Sequence, residues 1–271
     1  MLNLATLPID IARLVLWLVI LAVIFVPLER VFAVQPRRVF RAQFAADLGL
    51  YFFNSLVPTM LLALPLAVVA SVARHVQPDA MRAGIATLPL WANLVLAFVI
   101  GEIGFYWGHR WSHEWQWMWR FHRVHHTPDG LDWLINTRAH PLDMIFTRLC
   151  GMAPLYAIGL AQPNAEGSMS ALIIVLVGTV WGFFIHANVA WRLGPVEHLI
   201  ASPRFHHWHH VRSGPINRNY AAMLPVLDRV FATLHLPRRG WPEAYGVDEM
   251  AEQAAPLQEL QSSRVVKPEA L

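Results

Sequence analysis

The sequence alternates between long apolar runs and short polar segments. A helix needs roughly 20 predominantly apolar residues to cross a bilayer, and three apolar runs approach or exceed that length: residues 14–28, 48–73 and 83–101. A further apolar stretch from Leu149 to Trp191 is interrupted by Pro163, Asn164 and Gly167, which predicts a helical hairpin in the membrane. The pattern therefore predicts an all-α fold, a bundle of about four to five membrane helices.

Composition agrees with this prediction. Hydrophobic residues make up 56% of the chain and charged residues 14%, whereas a soluble domain carries about 25% charged residues. The net charge is only +3, and the basic residues are spread between the apolar runs, so nucleic-acid binding is not indicated. Their distribution follows the positive-inside tendency and places the polar, histidine-rich segments on the cytoplasmic side. We expect a multi-pass protein of the bacterial inner (plasma) membrane.

The polar segments divide the chain into three parts. Residues 1–101 form N-terminal membrane helices, and residues 102–240 form a histidine-motif catalytic region that includes the hairpin at about 149–191. Residues 241–271 are polar and are expected to be a surface tail. Residues 110–148 and 192–239 are thus predicted to form a cytoplasmic helical cap on the membrane helices. This cap would hold a histidine-rich site.

The single cysteine, Cys150, limits the kind of site that the chain can build. A disulfide within the chain, a cysteine-based zinc site and an iron–sulfur cluster each need at least two thiols. Any metal must therefore be bound by nitrogen or oxygen.

Most of the fourteen histidines fall into three tight groups. Residues three and four apart share one face of a helix, and each group has this spacing: His109 and His113; His122, His125 and His126; His206, His209 and His210. The first pair directly follows the third apolar run, which places the chemistry at the bilayer edge.

Imidazole suits zinc, copper, iron and nickel, and eight imidazoles exceed what one ion can use. Two metal ions are the economical interpretation. With neutral ligands alone the cluster stays cationic, which favours the binding of reduced oxygen species and hence O2 activation.

Several other polar residues have alternative interpretations. Glu102 lies in the apolar run on nearly the face of His109; it could accept the second ring proton of a ligand histidine or make a polar contact between helices. Asp228 is given a similar role. For His140, which precedes Pro141, ligand, substrate-gating and loop roles all remain open. His207 points away from the shared face, and ordinary surface roles are expected for the isolated His75, His198 and His235.

The histidine motifs resemble those of the fatty acid hydroxylase/sterol desaturase superfamily of membrane di-iron enzymes. The resemblance extends from about Glu102 to Pro237 and includes the stretches YWGHRWSHE, WRFHRVHHT and SPRFHHWHH. It implies an oxidoreductase that uses O2 and two iron ions to hydroxylate or desaturate a lipid or sterol-like substrate. The eight motif histidines would be its metal ligands, and His186 in WGFFIHANV resembles a further ligand.

The chain also departs from the family pattern at three places. Hydroxylases with a further HxxxH pair have a histidine where this chain has Gly182, which speaks against fatty acid 2-hydroxylation in particular. The closing segment usually reads Trp-Asp and Phe-Gly-Thr, whereas here Leu227 precedes Asp228 and Ala232 follows Phe231.

No dinucleotide-binding glycine motif, haem attachment motif or flavin signature occurs in the sequence. Electrons are therefore expected from an external donor, a ferredoxin- or cytochrome b5-like protein, with the arginine-rich face as a docking surface. Two alternatives belong to other classes. A zinc-dependent membrane hydrolase would require a carboxylate base, and the HExxH motif is absent. A metal-binding membrane protein such as a transporter would require ligands along a path at mid-membrane.

Overall fold

The computed structural model describes residues 7–161 and 165–248, and the regular secondary structure among them is helical. No β-strand occurs among them, only an isolated bridge between Val211 and Tyr245. The predicted all-α fold is confirmed. The described residues form nine α-helices: α1 Leu7–Val31, α2 Phe44–Val76, α3 Asp79–Ala86, α4 Leu90–Glu114, α5 Gln116–His126, α6 Pro141–Ile158, α7 Ala165–His186, α8 Pro203–His209 and α9 Pro225–Val230.

Three of these helices, α1, α2 and α4, are long and apolar enough to span a bilayer, and a shorter apolar stretch covers Leu172–His186 of α7. The third span differs from its predicted bounds because it begins at Leu90 rather than at residue 83. Proline disfavours helical conformation in the residue before it, so Pro89 separates the short helix α3 from α4. Helix α4 then continues through the first histidine pair to Glu114.

Helix α6 packs between α2 and α4, and glycine makes its approach to α4 close. A Cβ atom added at Gly108 would lie 2.7 Å from the Cβ of Cys150, and one added at Gly104 would overlap the Cys150 carbonyl oxygen. Small residues allow two membrane helices to approach in this way. The helix begins at Pro141 and ends at Ile158, so it starts eight residues before the predicted hairpin arm at Leu149. Of the three residues predicted to interrupt the hairpin, Pro163 and Asn164 lie outside the described residues, whereas Gly167 lies in helix α7.

Buried side chains fasten the polar segments to the membrane helices. Asn54 of α2 donates to the Thr137 carbonyl at 2.9 Å, in a short 3-10 helix at Trp133–Thr137. The Glu29 carboxylate of α1 accepts from the backbone N–H groups of Trp133 (2.7 Å) and Asn188 (3.0 Å). Because buried backbone groups need partners, these contacts fix the segments before α6 and after α7.

The closing segment around α9 is organised by Asp228, which is fully buried. Its carboxylate accepts from the backbone N–H groups of Tyr220 (2.7 Å) and Ala221 (2.9 Å) and from the Thr233 hydroxyl (2.6 Å). Ala232, beside Thr233, has a φ of 58° in the left-handed region. Left-handed backbone costs an L-residue about 1–2 kcal/mol, which explains why the family pattern has glycine at this position.

We predict that Ala232→Gly stabilises the protein. The Ala232 side chain is exposed, so its loss removes little packing, while glycine relieves a strain of about 1 kcal/mol. Ala244→Gly is the matched control, because Ala244 is exposed and has no positive φ. Unfolding of both variants by SDS in mild detergent measures the difference; equal destabilisation by the two substitutions would contradict the prediction.

Candidate metal centre

Nine histidines from four helices meet in two adjoining groups. Within each group one ring nitrogen per histidine lies within 4.8 Å of the others. All except His113 are buried. The five-histidine group consists of His109, His113, His122, His126 and His209; the four-histidine group consists of His125, His186, His206 and His210. These are the nine residues predicted as ligands from the sequence.

The spacing of histidines along each helix explains why a small number of helices can supply so many candidate ligands. His109 and His113 lie one turn apart on α4, and α5 and α8 contribute the two three-histidine motifs. His186 is the last residue of α7. Histidines of one motif go to different groups, however: His125 joins the four-histidine group, whereas its neighbours on α5 join the other.

The Nε2 atoms of the four-histidine group converge on a small volume. The distances are 3.1 Å from His125 to His186, 2.9 Å from His186 to His206 and 3.1 Å from His206 to His210. Metal–nitrogen bonds of about 2.0–2.1 Å place neighbouring ligand nitrogens roughly 3 Å apart. The geometry of this group therefore fits a metal ion.

The five-histidine group has the same spacing. His113 and His209 place their Nε2 atoms 3.2 Å apart, and so do His122 and His126. The rings of His126 and His210 stack across the boundary between the groups, with centroids 4.3 Å apart. Two metal ions at these groups would thus be close neighbours.

Outer contacts hold the rings in this orientation. The Nδ1 of His122 donates to the Asp143 carboxylate at 2.9 Å, and Asp143 also accepts from the Ser112 hydroxyl at 2.9 Å. Four further ligand rings donate from Nδ1 to backbone carbonyl groups: His109 to Tyr220, His125 to Arg138, His186 to Gly182 and His209 to Arg218. Such contacts fix the tautomer in which Nε2 is unprotonated and free to bind a metal.

Burial lowers the pKa of four of the grouped imidazoles and so keeps them neutral. It lowers the pKa of His125 to about 4. Burial, together with repulsion from neighbouring imidazoles, lowers the pKa of His126, His206 and His210 well below that of a free imidazole. Neutral imidazole is the form that binds metals, so the site is prepared for cations.

His207 has a different environment, although it lies between two candidate ligands. Its Nε2 donates to the Ala187 carbonyl at 3.1 Å, and its Nδ1 accepts from the Tyr245 hydroxyl at 2.8 Å. Both ring nitrogens are therefore occupied, and the ring faces away from the metal groups. Tyr245 belongs to the predicted polar tail but is buried here; residues 249–271 of that tail lie outside the described residues.

Of the two roles considered for Glu102, the structure shows the polar contact with another segment of the chain. Its carboxylate accepts from the backbone N–H groups of Met223 (2.8 Å) and Leu224 (3.1 Å) rather than from a ligand ring. The Nδ1 of His109 donates to the Tyr220 carbonyl at 2.7 Å instead. Glu102 therefore fastens α4 to the segment before α9.

Asp228 and His140 also lie outside both groups. Asp228 acts one step away from a candidate ligand, because it holds the Tyr220 backbone whose carbonyl accepts from His109. His140 is the N-cap of α6, and its Nδ1 accepts from the Leu142 backbone N–H at 3.2 Å. A ligand role does not fit this position.

Sequence reasoning missed Asp143, the carboxylate closest to the candidate ligands. The available signal was an acidic residue in the first turn of the helix that begins at Pro141, between two histidine motifs. The structure also explains Gly182: a Cβ added there would lie 2.6 Å from the Asn136 side-chain oxygen. A histidine at this position would collide with Asn136.

The sequence is similar to several curated proteins, among them a lipid hydroxylase and two monooxygenases. It is 35% identical over 156 residues to an ornithine lipid hydroxylase of Rhizobium tropici, a match that covers 56% of this chain and 44% of that protein. It is 32% identical to the human alkylglycerol monooxygenase (51% and 29% covered) and 28% identical to methylsterol monooxygenase 2-2 of Arabidopsis thaliana (54% and 55% covered). The matches thus cover about half or less of these relatives. No solved structure matches the chain.

The sequence model of the fatty acid hydroxylase family matches residues 94–233, which is more than half of the chain. This region begins in α4 and ends after α9, so it contains both histidine groups and the Asp228 segment. The match confirms the resemblance inferred from the histidine motifs. The chain belongs to the fatty acid hydroxylase family.

Proposed function

We propose that the chain is a membrane oxygenase that uses O2 and two histidine-bound iron ions to hydroxylate a lipid or sterol-like substrate. The observation that carries the proposal is the pair of adjoining all-histidine groups at the end of the membrane helix α4. The relatives named as hydroxylases and monooxygenases favour insertion of oxygen over desaturation.

The nine histidines would bind the two ions, five at one and four at the other. Iron bound there would supply reductive activation of O2 and attack on an unactivated C–H bond. The chain itself supplies neutral ligands, Nδ1 contacts that hold their rings, and a buried setting that limits access of water. The Asp143 carboxylate orients His122 and balances part of the added positive charge.

The substrate, partner and location belong to the same proposal. The apolar helices α1, α2 and α4 would hold the hydrocarbon part of a lipid while its reacting carbon lies at the histidine groups. We propose the bacterial inner membrane as the location, with the histidine groups on the cytoplasmic side. An external ferredoxin- or cytochrome b5-like protein would deliver electrons, and the exposed arginines of the polar segments would attract such an acidic carrier.

The ligand assignment predicts different outcomes for two adjacent histidines. His206→Ala removes an Nε2 atom from the four-histidine group, so the chain should retain about one metal ion instead of about two. His207→Ala is the matched control, because His207 has both ring nitrogens bonded elsewhere, and it should retain both ions. Elemental analysis of the purified variants measures this; equal metal loss from both would contradict the assignment.

The reaction type predicts the source of the inserted oxygen. The purified protein, supplied with a chemically reduced ferredoxin, should transfer 18O from 18O2 into a lipid of a class named by its relatives: ornithine lipids, alkylglycerols or methylsterols. Mass spectrometry of the products provides the measurement, with His206→Ala as the inactive control. Products that take their label from H2(18)O alone would support hydrolysis and contradict the proposal.

A further inference from the structure

Arg148 differs from the other arginines of the described chain. It is half-buried, yet it has no hydrogen bond or ion pair with any described residue. The other buried or half-buried arginines each have a partner: for example, Arg138 pairs with Asp47, and Arg204 pairs with Glu197. The remaining arginines without a partner are exposed.

No buried acidic side chain of the described residues is left to pair with Arg148. Each buried carboxylate is already engaged: Asp47 with Arg41 and Arg138, Glu102 with Met223 and Leu224, Asp143 with His122 and Ser112, Glu197 with Ser202 and Arg204, and Asp228 with Tyr220, Ala221 and Thr233. A partly desolvated guanidinium without a counter-charge is costly.

The position of Arg148 relates it to the histidine groups. It follows Thr147, whose Cα would lie 3.4 Å from a Cβ added at Gly108, the residue before His109. Arg148 therefore lies beside the helical turn that carries a candidate ligand. Gly108 is six residues before the end of α4 at Glu114, so this level is roughly 9 Å inside the end of the helix. The headgroup of a membrane lipid can reach that depth.

We propose that Arg148 binds the anionic headgroup of the lipid substrate and so positions its chain at the histidine groups. The guanidinium is permanently charged, and its fork of donors matches the oxygens of a phosphate or carboxylate. Calling the bound lipid a substrate depends on the oxygenase function proposed above. Within that function, the proposal restricts the substrate to anionic lipids. A neutral lipid would leave the guanidinium unpaired.

Lipid binding to the iron-loaded protein in detergent tests the proposal without measuring catalysis. Dimyristoyl phosphatidic acid should raise the thermal unfolding temperature of the wild type, whereas dimyristoylglycerol, with the same chains, and inorganic phosphate should not. Arg148→Gln should weaken the apparent affinity for phosphatidic acid by about tenfold or more, and Arg148→Lys should weaken it less. Arg120→Gln removes the same charge from an exposed arginine without a described partner and should bind like the wild type.

Two results would overturn the proposal: wild-type affinity in Arg148→Gln, or an equal loss in Arg120→Gln. If Arg148→Gln does not fold, photocrosslinking of the wild type with a diazirine-labelled phosphatidic acid replaces it. We expect the probe to label α6 around Arg148. Unlabelled phosphatidic acid should suppress this labelling, whereas dimyristoylglycerol should not. Absence of such labelling refutes the proposal. Specific binding that depends on Arg148, without 18O incorporation into any lipid, would contradict the oxygenase proposal and leave Arg148 as a binding site for an anionic lipid.

Discussion

Imidazole lone pairs that meet at about 3 Å repel one another unless a cation lies among them. Eight of the nine grouped histidines have such a neighbour, and the ninth, His109, has a ring nitrogen within 4.8 Å of the others in its group. Much of the surrounding structure serves to hold these rings. Helices α4, α5, α7 and α8 supply the rings, while Asp143 and a set of backbone carbonyls fix their tautomers. Two metal ions bound there, as proposed, would turn this repulsion into attraction, so metal binding and the folding of the cap are expected to be coupled.

The membrane helices set the position of this centre. Close packing of α4 on α6 through Gly104 and Gly108 brings Asp143 near His122 and places Arg148 beside the turn of His109. Asp228 and Glu102 then attach the closing segment, whose Tyr220 carbonyl accepts from His109. A chain of contacts thus links the depth of a helix in the bilayer to the orientation of a candidate ligand.

The sequence was sufficient for the parts of the fold that depend on local spacing. The apolar runs located the long membrane helices, and the i, i+3 and i, i+4 spacing located eight of the candidate ligands and the contrasting position of His207. The ninth, His186, was expected only from the family resemblance. Hydropathy missed the break at Pro89, because the apolar run continues through it. The division into five and four histidines, the contact of Asp143 with His122 and the collision between Asn136 and position 182 all depend on tertiary packing, which spacing does not encode.

The identity and number of the bound ions test the central claim most directly. Protein purified anaerobically from cells grown on iron-57 can be examined by elemental analysis and Mössbauer spectroscopy. We predict about two high-spin irons per chain, magnetically coupled as a pair, because the two histidine groups adjoin. Stoichiometric zinc that persists under iron-replete, anaerobic conditions would contradict the account and favour a hydrolase.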